Sequence, residues 1–278
     1  MSKRIIESYK KKLSVEEGYV VKRGGALRIA LCYPNTHSIG MANLGLHTMY
    51  ELFNAIPDVV CERVFLPDRD ELAEYEKTGA PLMSLETQSH VKGFDVIAFS
   101  ISFETDYLNM ARMLQLSGVP VWSKDRTDGH PLVVMGGAAS FLNPEPIADF
   151  TDVIAVGEGE ILAYQLIDAI LENSSKDDVL RQLALIGRGF YVPAFYDVVQ
   201  NDDGTVAEYL PNVAGVPRRV GRALASVNPK EGTLRREILR TVGNAEQQPV
   251  PLICCRIGRR AEREVFCAVG RQQGPRAQ

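Results

Sequence analysis

Asp95-Val-Ile-Ala-Phe-Ser-Ile101, followed by a helical stretch from Glu104 to Leu116 and closed by Gly118, is the part of the sequence that decides the fold. A strand that is apolar on odd and even positions alike must be covered on both faces, and a helix ended by glycine is the natural cover. The same unit recurs on either side. Leu27-Arg-Ile-Ala-Leu-Cys-Tyr33 predicts a strand stopped by Pro34 and Asn35, and residues 42–55 place Leu44, Leu46, Met49, Leu52 and Phe53 at helical spacing. Val59 to Leu66 reads as a strand before a polar helix from Asp68 to Lys77. Pro131 to Met135 gives the fourth strand, and Asp152-Val-Ile-Ala-Val156 gives the fifth, before a helix from Glu158 to about Glu172.

Five strand-then-helix units predict an α/β fold, a doubly wound parallel five-stranded sheet of flavodoxin or Rossmann type with order 2-1-3-4-5. Residues 26–175 are assigned to this domain and 1–25 to a polar N-terminal arm. After Ser174-Ser175 a short helix from Asp177 to Leu185 leads to Gly189-Phe-Tyr-Val-Pro193. Two β-rich runs, Phe195 to Gln200 and Val206 to Leu210, flank Asn201-Asp-Asp-Gly204 and predict a hairpin. Residues 176–220 are thus a helix and hairpin linker. From about 221 to 278 the apolar period fades into an Arg- and Gln-rich tail with little to fold around.

With 45% hydrophobic residues the chain can bury a core, and a net charge of −4 spread along it leaves no electrostatic footprint for nucleic acid. No signal peptide and no membrane span is expected, which points to the cytoplasm. Five cysteines (Cys32, Cys61, Cys254, Cys255 and Cys267) form no regular disulfide framework and leave free thiols or metal ligands as their roles. Neither substrate nor oligomeric state is written in these residues.

Ligands of an open parallel sheet sit outside the carboxyl ends of the strands. There the chain carries Asn35, His37, Ser38, Gly40, Met41 and Asn43 after strand one, and Ser100, Ser102 and Glu104 around the end of strand three. Gly136 and Gly137 follow strand four, and Gly157, Glu158, Gly159 and Glu160 follow strand five. Gly40 could admit a ligand to the backbone beside free helix N–H groups, and a tight turn capped by Asn43 or Ser38 explains the same residues. Gly136-Gly137 suits a flat ligand or a sharp bend. In Gly157-Glu-Gly-Glu160 two carboxylates in the first helical turn would repel a phosphate and complement the helix dipole. Asn143-Pro-Glu-Pro146 reads as a cap with proline at the first helical position. G-x-S-x-G, G-x-x-x-x-G-K-[ST] and a post-strand G-x-G-x-x-G are absent, and no catalytic residue and no metal ligand is assigned.

Tyr33-Pro34, Ile39-Gly-Met-Ala-Asn-Leu-Gly-Leu46, Glu62-Arg-Val-Phe65, Phe94 to Ser100, Gly136-Gly137, Asn143-Pro-Glu-Pro146 and Gly157-Glu-Gly-Glu160, in this order, resemble the amino-terminal half of radical SAM proteins with a cobalamin-binding-like domain. The resemblance covers residues 20 to 215. It implies that the four loops frame a small-molecule cofactor, with cobalamin as the candidate and Gly157-Glu-Gly-Glu160 near its nucleotide tail. The D-x-H-x-x-G motif that supplies a cobalt ligand elsewhere is absent. Full-length members hold a four-iron four-sulfur cluster with C-x-x-x-C-x-x-C cysteines and bind S-adenosylmethionine. Cys254, Cys255 and Cys267 do not reproduce that spacing, so this chain is expected to bind neither. The expectation is a frameshift or truncation between about 221 and 255, with a native partner-binding tail as the alternative. A free-standing corrinoid- or nucleotide-binding module is the competing function, and a flavodoxin-like or glycosyltransferase-like domain the third.

Overall fold

Apolar residues on both faces of successive strands oblige helices to pack on both sides of one sheet, and the computed structural model, which describes residues 2–224, has that layering. Strands β1 (Leu27–Tyr33), β2 (Val59–Phe65), β3 (Val96–Ser100), β4 (Leu132–Gly136) and β5 (Val153–Ala155) are parallel. Their order, 2-1-3-4-5, is the one the sequence predicts. The sheet has six strands, however, not five. β6 (Phe190–Tyr191) pairs antiparallel with β5, Ile154 opposite Tyr191 and Ala155 opposite Phe190. A two-residue strand is too short to show a period, which is why the run from Gly189 to Pro193 reads only as a connection.

The helices are α1 (Lys3–Leu13), the single turn α2 (His37–Gly40), α3 (Leu44–Ala55), α4 (Arg69–Thr78), α5 (Tyr107–Ser117), α6 (Gly159–Glu172) and α7 (Lys176–Leu185). Local chemistry sets their ends. Asp68 and Glu71 form a reciprocal capping box on α4, and Gly79 and Gly118 close α4 and α5 in the left-handed conformation. The fifth helix buries Tyr107, Met110, Met113, Leu114 and Ser117, the stripe expected of a helix lying on a sheet. The N-terminal arm is not merely polar. Ile5, Tyr9 and Leu13 recur every fourth residue and are buried, while Ser8 and Lys12 bind Glu71 of α4 at 2.6 Å each.

Strands β7 (Tyr196–Gln200) and β8 (Val206–Pro211) form the predicted hairpin as a separate two-stranded sheet. The Tyr196 hydroxyl donates to the Pro217 carbonyl at 2.7 Å, and Glu145 accepts from Tyr191 and Tyr209. Burial, then the Glu145 charge, pushes both phenols above their usual range. The Glu145 of Asn143-Pro-Glu-Pro146 thus fastens the hairpin as well as opening a helical turn. The tail beyond 224, with Cys254, Cys255 and Cys267, lies outside the described residues.

The edge strand β2 carries two inward charges, Glu62 and Arg63, both buried. Ser84 and Thr87 donate to Glu62 at 2.6 and 2.7 Å. Arg63 is gripped by Glu86 through Nε and by Glu16 through a terminal nitrogen, each at 2.7 Å, and it stacks 4.8 Å from the Tyr50 ring centre. Charges on an edge strand deter pairing with other chains, and buried ones need such complete partnering. Burial alone would raise the Glu16 carboxyl, but the hydrogen bond from His37 and the Arg63 charge outweigh it and hold the group below its ordinary 4.5.

A carboxylate lowered in the fold stabilises fully above its unfolded value, and that contribution is lost as pH falls through the depressed folded value. Glu16→Gln is therefore expected to cost about 2 kcal/mol near neutral pH, since it leaves charged partners short of one acceptor. Urea denaturation should show the gap between wild type and variant shrinking below the ordinary carboxylate range. A gap that stays constant down to the acid limit would exclude the ionised pair as its source.

Candidate functional site

Parallel strands deliver every strand-to-helix connection to one edge of the sheet, and two of these connections meet where the order reverses between β1 and β3. Asn43 caps α3, its Oδ1 accepting from the Leu46 N–H at 2.9 Å, while its Nδ2 donates to Ser102 Oγ at 3.2 Å. Asn35 donates from Nδ2 to Asp106 Oδ1 at 3.3 Å, and Asn109 donates to the Pro34 carbonyl at 3.0 Å. These bonds clasp the 34–43 loop to the 101–109 segment. Asp106 is buried, which pushes its carboxyl up, and the Asn35 hydrogen bond only partly offsets that. A buried, perturbed carboxyl at a loop junction has the physical character of a functional group.

The β3 and β4 connections are equally close. Ile101 N–H donates to the Gly136 carbonyl and Ala139 N–H to the Ile101 carbonyl, at 2.9 and 3.2 Å. Gly137 has φ +101°, and a Cβ there would stand 2.4 Å from the Ile101 oxygen. Only glycine fits. A Cβ on Gly136 would meet nothing nearer than Ala155 Cβ at 3.8 Å, an ordinary contact. Phe103, Phe141 and Leu142 stand exposed on these loops, with Phe103 66% exposed.

After β5, Gly157 has φ +144° and lies against the backbone of Ala223, where a Cβ would come within 2.3 Å of the carbonyl oxygen. Gly159 starts α6 against Met49, whose sulfur would sit 2.4 Å from a Cβ. Both spaces that these glycines leave are filled by the protein. Glu160 is exposed in the first turn, as dipole complementation requires.

Of the residues read from sequence, Asn35, Asn43, Ser102, Gly136 and Gly137 gather along the rim, with Ser100 opposite Gly136 in the β3–β4 register. Glu104 is exposed beside them, and Ser38 bonds Thr36 within its own loop at 3.3 Å. His37 and Met41 are turned away. His37 Nε2 lies 2.5 Å from Glu16 and its ring packs edge-on against Phe65, while the Met41 sulfur accepts from Arg63 at 3.2 Å. Gly40 is buried, and a Cβ would strike the Phe65 ring, so packing accounts for it. Sequence reasoning missed Asp106, although a carboxylate opening the helix after strand three was the available signal. It also missed Met49, Glu16 and Ala223, whose roles depend on contacts between distant segments.

A cleft of about 290 Å³ lies at the opposite, amino-terminal edge, lined among others by Asp95, Asp128, His130 and Lys176. Lys176 is half-buried and its Nζ donates to the Thr127 and Pro131 carbonyls at 2.8 and 3.2 Å.

A tight three-thiolate iron–sulfur loop does not fit the described residues. Their cysteines, Cys32 and Cys61, are buried in β1 and β2, and burial drives both thiols far above their usual range. Among the described residues no group of three or more His, Cys, Asp or Glu is placed to hold a metal, and no helix is long and apolar enough to cross a membrane.

If loop contact rather than ligand contact explains the glycines, Gly137→Ala should cost about 2–4 kcal/mol and Gly136→Ala less than about 1. Thermal denaturation of the protein without added ligand measures both. Equal, small losses would remove the loop-packing explanation.

The family described as radical SAM proteins, N-terminal, matches residues 45–193. An uncharacterised protein of Methanocaldococcus jannaschii is 27% identical over 134 residues, which is 48% of this chain and 24% of that relative. The chain therefore spans about a quarter of the curated relative it matches.

Proposed function

This chain belongs to the radical SAM proteins through their N-terminal family, and from that premise we propose that it supplies the cofactor-binding α/β part of such a protein. Full-length members use S-adenosylmethionine and an iron–sulfur cluster. When bound, these supply the radical that abstracts hydrogen from a substrate. In this reading the cluster loop is disrupted among the residues of this chain, because Cys254, Cys255 and Cys267 lack the spacing such a loop needs.

The observation that carries the reading is the clasped junction of the β1 and β3 connections. Asn35, Asn43, Ser102 and Asp106 present polar groups at the strand-order reversal, bordered by the apolar side chains of Phe103, Phe141 and Leu142. Open α/β sheets hold small molecules at such a place. A few convergent polar groups beside apolar surface suit a corrinoid, whose flat ring is apolar on its faces and amide-bearing at its edge. His37 has no role toward cobalt in this reading, because its Nε2 is bonded to Glu16. Asn35, Asn43 and Ser102 would hold such a ring through its edge amides and so orient it.

A second reading is a free-standing, non-catalytic corrinoid- or nucleotide-binding module. Anaerobic incubation of the full chain with iron and sulfide is expected to leave no bound cluster. A stoichiometric one would overturn the view that the cluster loop is disrupted. In visible titrations with hydroxocobalamin, Asn35→Ala combined with Ser102→Ala is expected to weaken binding at least about fivefold, the size of one lost hydrogen bond. Binding that ignores this pair of substitutions would place the ligand elsewhere.

A further inference from the structure

Residues 221–223 lie beside the very connection that follows β5. Ala223 N–H donates to the Val156 carbonyl, and Glu158 N–H donates to the Ala223 carbonyl, both at 3.0 Å. Gly189 N–H donates to the Gly221 carbonyl at 2.7 Å. Residues 221–223 thus run parallel to two segments at once, bridging Gly157 with Ala223 and Arg188 with Gly221. The Arg222 guanidinium lies 4.5 Å from the centre of the exposed Phe141 ring, which ties the same segment to the β4 connection.

Two glycines make room for it. A Cβ on Gly157 would collide with the Ala223 backbone, and one on Gly189 would stand 3.0 Å from Ala223 Cβ and 2.4 Å from Leu162. Ala223 is 3% exposed, whereas Gly221, Arg222 and Leu224 on either side are exposed. One buried methyl group, three backbone hydrogen bonds and one stacked cation hold the segment. So few buried contacts give a unit that opens at a small fraction of the global unfolding cost.

Resting on the reading that the carboxyl rim takes a small-molecule ligand, we propose that residues 221–224 are a strap that occupies the β5 end of the rim and excludes the ligand until it is released. The Val156 carbonyl and the Glu158 N–H are strand-end groups of the kind that face ligands in open sheets, and the strap has taken both. Ligand and strap compete for one set of backbone atoms. The apparent affinity of the intact chain is then the intrinsic affinity reduced by the fraction of molecules with the strap open.

The test compares the full-length wild type with Ala223→Gln and Ala223→Leu, whose side chains have no room beside Gly189 and Leu162 and leave the Arg222 bond open to trypsin. Tryptic cleavage after Arg222, located by mass spectrometry, reports the strap. Hydroxocobalamin titrated against visible absorption reports the ligand, and the melting midpoint reports the sheet. Both variants are expected to be cut after Arg222 at least about tenfold faster and to bind at least about tenfold more tightly, at an unchanged melting midpoint. Wild type that binds as tightly as the variants while Arg222 stays protected would overturn the strap and leave the ligand reading intact. Cleavage at Arg222 with no corrin response in any form would end both. Protection that persists in both variants would show that Ala223 does not hold the segment and would also defeat the proposal.

Discussion

Everything at the rim depends on the requirement that each parallel strand return to the same end of the sheet before the next begins. This is what brings residues separated by as many as 75 positions within hydrogen-bonding reach. The connections then brace one another: Asn43 reaches Ser102, Asn35 reaches Asp106, Gly137 lies on Ile101, and Gly157 lies on Ala223. Each brace uses either an amide side chain with capacity on both its atoms or a glycine that lets two backbones touch. The chemistry of the rim is therefore inseparable from its construction.

A second organising element stands at the other side of β1. Arg63 collects Glu16, Glu86, Met41 and the Tyr50 face around one guanidinium, and Glu16 passes the connection on to His37. Through it the segment after α1 is bound to the loop that carries Asn35 and Asn43. The planar fork of arginine suits this task, because its nitrogens point in fixed, separate directions and never lose their charge. Lysine at the same place would lack the flat face that stacks on Tyr50 and the fixed fork that holds two carboxylates apart.

The layering, the order of the first five strands and the places of most helices were legible because they rest on local repetition: apolar runs such as Val96 to Phe99, and punctuation such as Gly118 or Asp68. The convergence of the rim loops followed from the topology. What could not be read was which glycine faced a ligand and which faced the chain itself, since Gly40 and Gly157 look alike in sequence and differ only in whether Phe65 or Ala223 comes to lie upon them. His37 was misleading for the same reason. Its partner Glu16 sits 21 residues away in an arm whose own helix, with Ile5, Tyr9 and Leu13 every fourth residue, is easily overlooked among lysines. β6 escaped because two residues leave no pattern.

The hairpin of β7 and β8 is built unlike the rest. Along β7, Val198 and Val199 point to opposite sides and both are exposed, so neither face of the ribbon is committed to a core. Its root is secured by Tyr196 and Glu145, and its turn is organised by Asp203 accepting from the Thr205 hydroxyl and N–H at 2.6 and 2.9 Å. A ribbon fixed at one end and self-sufficient at the other tolerates changes of length at its tip without disturbing the sheet. The Asn201–Thr205 bend is accordingly where this architecture can accept an inserted loop, tag or fluorescent reporter with the least consequence for the fold.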